Sequence, residues 1–255
     1  ISSRILDHLD VERFIEPMVL EGGSIAVDGE GLLVTTEQCL LNPNRNPDLD
    51  RHTIDAELCR ALGVERVVWL EKGLVEDADT DGHVDNICAF LEPGRVLLQT
   101  VNDRTDPNYE GSRENVRRLE AAGIEVVEWE LLPRITREDG EPVVVPYMNF
   151  YVANGALIVP VSGTDPDMDR EALLRLEGLY PGREAVGVDA RFCQNASAVH
   201  TSPTMMAGKL TNGRAQLWRG ACSFTGTVVG AGSARSREMR FLARIESSLS
   251  RGGTL

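Results

Sequence analysis

Three stretches of the chain repeat one order of apolar and polar segments. The first has short apolar runs at residues 24–27 and 32–36, a spaced apolar pattern over 53–62 and a third run at 66–70. Residues 87–91, 96–101, 110–122 and 125–129 repeat that order, and so do 150–152, 156–160, 166–178 and 184–188. Short apolar or β-branched runs bounded by turn residues predict strands, and apolar positions spaced by charges predict amphipathic helices. In the second stretch Val116, Leu119 and Ala122 stand among Arg113, Glu114, Arg117 and Arg118. Each stretch therefore reads strand, tight turn, strand, helix, strand.

The punctuation agrees. Asp28-Gly29-Glu30-Gly31, Glu92-Pro93-Gly94 and Asn154-Gly155 are turn signals between paired strands. Gly63 and Gly123 stand where helix C-caps belong. Ile25 and Ile87 are 62 residues apart, and Ile87 and Phe150 are 63 apart. A β-β-α-β unit repeated at a fixed length cannot bury its sheet face alone, and such units pack around an axis as in a propeller. The expected fold class is thus α/β, a pseudo-symmetric β-β-α-β repeat. In such an arrangement the segments preceding each first strand share one rim, and loops on a rigid scaffold are where sites sit. Those segments are Leu20-Glu21-Gly22-Gly23, Asp81-Gly82-His83-Val84-Asp85-Asn86 and Tyr147-Met148-Asn149.

Composition narrows the function. The formal net charge of −14 argues against a nucleic-acid partner, which needs a basic face for phosphates. It suits a small cationic substrate. No apolar run reaches the length of a membrane span, so no membrane partner is expected. Ile1-Ser2-Ser3-Arg4 has no initiator Met and no signal pattern, which reads as a start in mid-chain. Five cysteines without a C-x-x-C pair, namely Cys39, Cys59, Cys88, Cys193 and Cys222, predict neither a disulfide framework nor a zinc site. A reducing cytoplasm is the expected compartment. Asn195-Ala196-Ser197 fits a glycosylation sequon but is read as chance without secretion.

Candidate chemistry lies in the rim segments. On an extended backbone His83 and Asp85 face one side, pairing an acid–base imidazole with a carboxylate. Glu21 ends an apolar run and is followed by two glycines that allow close approach. The string Asp77-x-Asp79-x-Asp81-Gly82 resembles the start of a calcium loop. Position 12 of that loop is Cys88 and not Glu, and the flanks read as strands, so no metal is expected there. Leu41-Asn42-Pro43-Asn44-Arg45-Asn46-Pro47 reads mainly as a rigid connector.

Together these segments resemble one family. Leu20-Glu21-Gly22-Gly23-Ser24-Ile25 with Asp28-Gly29 is one element of the likeness, and Thr35-Thr36-Glu37 with the segment 39–47 is the second. Asp79-Thr80-Asp81-Gly82-His83-Val84-Asp85-Asn86 is the third, and Tyr147-Met148-Asn149-Phe150-Tyr151 with Asn154-Gly155 the fourth. In this order the chain is similar to agmatine deiminases, a branch of the bacterial-type peptidylarginine deiminase family. The resemblance covers about three-quarters of the chain and implies a five-bladed pentein propeller, incomplete here at its N-terminus and altered at its C-terminus. It implies hydrolysis of agmatine to N-carbamoylputrescine and ammonia, a step toward putrescine, with no metal or organic cofactor. Glu21, Asp85 and Asn86 would bind substrate, and His83 would move protons, with Glu21 and Asp85 assisting.

The likeness weakens toward the C-terminus. Asp189-Ala190-Arg191 and His200 fit the family pattern, but Thr201 stands where the resemblance implies the nucleophilic Cys. Cys193 is read as structural. Residues 205–255 carry eight Lys plus Arg against two Asp plus Glu. Residues 1–204 are therefore expected to form a partial deiminase domain, and 205–255 a basic Arg/Ser/Gly-rich tail. The Trp-x-x-Asp segment that the family supplies before Glu21 has no match. A non-catalytic binder of guanidino compounds or amines is the alternative reading. Homo-oligomerisation is plausible, but no residue pattern specifies it.

Overall fold

The computed structural model describes residues 18–78, 80–136 and 142–190, with the single positions 8, 10 and 12. Asp79, Cys193, the sequon at Asn195, His200, Thr201 and the boundary expected at 204/205 lie outside the described residues.

Three units of one design follow each other. The first runs β1 (Ile25–Val27), β2 (Leu32–Thr36), the single-turn α1 (Glu37–Leu40), α2 (Arg51–Leu62) and β3 (Arg66–Leu70). The second is β4 (Cys88–Glu92), β5 (Arg95–Gln99), α3 (Tyr109–Ala121) and β6 (Glu125–Trp129). A ribbon of β7 (Arg134–Thr136) and β8 (Pro142–Val144) precedes the third unit, β9 (Tyr151–Ala153), β10 (Ala156–Val161), α4 (Pro166–Leu179) and β11 (Glu184–Asp189). The first strands start at residues 25, 88 and 151, a repeat of 63 residues. In every unit the first two strands pair antiparallel and the second and third pair parallel. The fold is α/β with mixed three-stranded sheets.

Local chemistry sets the elements. The side chain of Asp50 caps α2 by accepting from the Thr53 N–H, and Gly63 closes the helix in the left-handed region at φ 68°. Asp165 caps α4 in the same way, with Pro166 opening the helix. All five residues of β2 are buried, so Leu-Leu-Val-Thr-Thr reads as a continuous run and not an alternating one.

The units share their cores. Leu32, Val34, Val68 and Leu70 of the first pack with Val96, Leu98 and Leu119 of the second. Leu97 and Trp129 of the second pack with Leu157, Val159 and Leu176 of the third. Each sheet buries its apolar face against a neighbouring unit, as a short repeat requires. This sharing brings the segments before β1, β4 and β9 together.

Candidate active site

Glu21 stands just before a 3-10 turn, Gly22–Ser24, that leads into β1. Its carbonyl accepts from the Ser24 N–H at 3.1 Å and from the Ser24 hydroxyl at 2.6 Å. Thr35 on β2 donates to the Ser24 carbonyl at 2.7 Å, which ties the turn to the sheet.

The second rim segment is organised by Asp77. Its carboxylate accepts from the Thr80 hydroxyl at 2.6 Å, the His83 N–H at 3.1 Å and the Asn86 side-chain amide at 2.9 Å. Asp81 and Gly82 then take positive φ, 55° and 77°. A Cβ on Gly82 would stand 2.5 Å from the Gln38 amide oxygen, so only glycine fits without displacement. The Gly82 carbonyl accepts from the Thr36 hydroxyl at 2.7 Å. The acidic string thus builds a turn, and it leads into a 3-10 turn and β4, not a calcium-loop helix.

One expectation needs correction. His83 and Asp85 would share one side only on an extended backbone. Val84–Asn86 instead form a 3-10 turn with Val84 buried, so that spacing argument does not apply. What the structure does bring together is His83 and Glu21. His83 is buried, and its Nε2 lies 3.2 Å from Oε2 of Glu21, within ion-pair reach but without hydrogen-bond alignment. Asn86, the third substrate-binding candidate, accepts from the Asn149 side-chain amide at 2.8 Å. The third rim segment therefore meets the second.

The two acidic candidates differ in charge state. Partial burial pushes the Glu21 carboxyl up, but hydrogen bonds from Arg45 and the nearby His83 imidazole outweigh it, and the net shift is downward. Burial drives Asp85 well above the usual carboxylate range, and the neighbouring charge of Asp77 adds to it. The backbone N–H groups of Asp85 and Asn86 offset this only in part.

Arg45 is the residue that sequence reasoning missed. Its Nε donates to Oε2 of Glu21, and its Nη2 donates to Oε1 of Glu21 at 3.2 Å and to the Thr80 carbonyl at 3.0 Å. Nη1 donates to Asp81 at 2.6 Å and to Asn44 at 3.0 Å. Five acceptors match the five N–H donors of a guanidinium. The connector at 41–47 therefore orients Glu21 and holds it ionised. Asn46 anchors the same loop through Val19 and Leu40. Cys39, buried on α1, was also missed. Its sulfur, a Glu21 oxygen and a His83 nitrogen lie within 4.8 Å of one another, and among the described residues this is the cluster with the spacing of metal ligands.

Fold and site together define an α/β repeat protein with a buried imidazole against a carboxylate at one rim, a class suited to acid–base work on a cation. Residues 1–203 match the family model of the Porphyromonas-type peptidyl-arginine deiminase, and the chain belongs to that family. The agmatine deiminase of Medicago truncatula is 43% identical over 212 residues, covering 74% of this chain and 56% of that protein. Among solved structures, a Cys-to-Ser variant of C. jejuni agmatine deiminase with substrate bound is 31% identical with a TM-score of 0.69, covering 78% of this chain and 60% of that one. An agmatine deiminase of Enterococcus faecalis is also 31% identical, with a TM-score of 0.68 and the same coverage. The chain thus spans a little over half the length of the relatives it matches. No helix among the described residues is long and apolar enough to cross a membrane.

Proposed function

We propose that this chain carries the guanidinium-binding and proton-transfer part of an agmatine deiminase site, for hydrolysis of agmatine to N-carbamoylputrescine and ammonia. The observation that carries the reading is the 3.2 Å approach of the buried His83 to Glu21. A guanidinium is planar, delocalised and always charged, so carboxylates must hold its N–H groups. Glu21 offers a standing negative charge, while Asp85 ionises as the cation arrives. A nucleophile adds to the guanidinium carbon, and His83 protonates the departing amine, which leaves as ammonia. His83 then takes a proton from water, whose oxygen attacks the carbon and releases the ureido product and the nucleophile. By the family resemblance Thr201 takes the nucleophile's position, where a thiol is the group the step calls for. The three units are then part of a five-bladed ring, and the setting is cytoplasmic putrescine formation.

The test measures agmatine binding, and ammonia and ureido-product release, from the chain and from its Thr201→Cys variant, with arginine in parallel. Saturable binding is expected in both, with turnover favouring agmatine in the variant. His83→Ala in that background lowers turnover by about 10²-fold or more. Folded protein that neither binds nor hydrolyses agmatine sinks the proposal.

A further inference from the structure

The buried groups behind Glu21 have a second chemistry. Cys39 is fully buried on α1, and His83 is buried on the next rim segment. With Glu21 they present one sulfur, one imidazole nitrogen and one carboxylate oxygen, all within 4.8 Å of one another. The three come from different segments, so the fold and not chain proximity brings them together. Nε2 of His83 is buried and has no aligned hydrogen-bond partner, although it faces Glu21. In the neutral tautomer with its proton on Nδ1, Nε2 offers its lone pair to a cation. We propose that Glu21, Cys39 and His83 form a binding site for a borderline-soft divalent cation of the zinc class, one that occupies the rim where the guanidinium is proposed to bind.

The donor set fits that class. Sulfur, imidazole and carboxylate are zinc's ligands, and hard cations such as magnesium prefer oxygen alone. Tetrahedral zinc with bonds of about 2.0–2.3 Å sets ligand atoms roughly 3.3–3.6 Å apart. Glu21 and His83 already stand at 3.2 Å, and the sulfur, within 4.8 Å of both, has at most about 1.5 Å to close. Three protein ligands leave a fourth position open to water. The Arg45 guanidinium opposes a cation here, but the carboxylate of Asp81 binds it at 2.6 Å and balances its charge. The way in is past Glu21, whose side chain is 41% exposed.

Binding replaces the thiol proton by the metal: the Cys39 S–H bond breaks, the sulfur–metal bond forms and one proton leaves to solvent. Burial pushes the free Cys39 thiol up to about 12, so it stays protonated until a metal displaces the proton. The same burial makes Cys39 a poor nucleophile in the metal-free chain.

The experiment titrates the full chain with cadmium ion, whose bond to a thiolate gives an ultraviolet charge-transfer band. One equivalent is expected to saturate the band. Cys39→Ala removes it, and Cys59→Ser keeps it. Because Cys39→Ala alters the core, Glu21→Gln provides the second arm. It leaves two ligands and weakens binding by about 100-fold or more, given that loss of an outer-shell partner alone costs 10–100-fold. A band absent from the unsubstituted chain, or unchanged in folded Cys39→Ala or Glu21→Gln, overturns the proposal.

Discussion

The rim segments before β1 and before β4 hold their carboxylates in opposite ways. Before β1, Glu21 is partly exposed and fixed by the fork of Arg45, which keeps it ionised. Before β4, Asp85 is half-buried with a carboxylate oxygen shielded from solvent, and both that shielding and the charge of Asp77 favour its protonated form. Two acidic residues at related places in a repeat thus supply different things. One is a standing charge beside the imidazole, while on the proposed function the other becomes a charge when a cation pairs with it.

The contrast breaks most strongly at Arg45. Arg45→Met leaves Glu21 and Asp81 without their shared guanidinium. Loss of a fully buried partner costs about 3–5 kcal/mol, but these carboxylates are partly solvated, so about 1–3 kcal/mol is expected from chemical denaturation. The pH dependence gives a sharper reading. A carboxyl held below its unfolded pKa adds stability above that pKa, and the gain is lost as pH falls through the folded value. Arg45→Met removes most of that acid-side loss, whereas Arg45→Lys keeps a charge but not the fork and falls between. Stability equal to that of the unsubstituted chain at every pH would show that the fork orients nothing.

Asp85 sharpens the other half. Its folded pKa is raised, so its effect has the opposite sign. The penalty is absent below the unfolded pKa of about 3.9 and grows as pH rises from there toward the folded value. Asp85→Asn removes the penalty, so the ligand-free variant gains stability relative to the original chain as pH rises over that window. Agmatine binding moves the other way, weakening by about 10- to 100-fold with loss of a charged hydrogen-bond partner. Calorimetry in buffers of different ionisation enthalpy should show a proton released on agmatine binding to the original chain and none for the variant. Identical proton counts would mean that Asp85 does not answer the cation.

Much of this was legible in the chain. The repeat showed because each strand and helix keeps its own period and each turn its own residues: β3 at 66–70 and β6 at 125–129 fall at the expected bounds. Glu21 and His83 showed because each stands in a rim segment. Arg45 did not, because what it does depends on acceptors 24 and 36 residues away, which no local pattern records. Cys39 was hidden for a similar reason, since on α1 it reads as one more small apolar residue. The 3-10 turn at Val84–Asn86 was missed because its cause lies upstream, in the hydrogen bonds that Asp77 makes to His83 and Asn86.

The smallest effect is expected where the second and third rim segments meet. Glu21 and His83 join the first two segments through a carboxylate–imidazole approach of 3.2 Å, but Asn149 and Asn86 join the next two through one amide hydrogen bond of 2.8 Å. A neutral, partly buried bond of this kind contributes about 0.5–1.5 kcal/mol. Asn149→Ala should cost no more than that in stability and should leave the Arg45-dependent acid-side loss in place, because neither residue touches Glu21. Its effect on agmatine affinity is the more telling number. Asn86 also donates to Asp77, so freeing its oxygen leaves that anchor intact. An affinity change within a few-fold is therefore expected. A loss as large as that of Asp85→Asn would mean that the amide pair, and not the Asp77 anchor, holds the Val84–Asn86 turn in place, and the division between a charged and a neutral joint would then have no functional content.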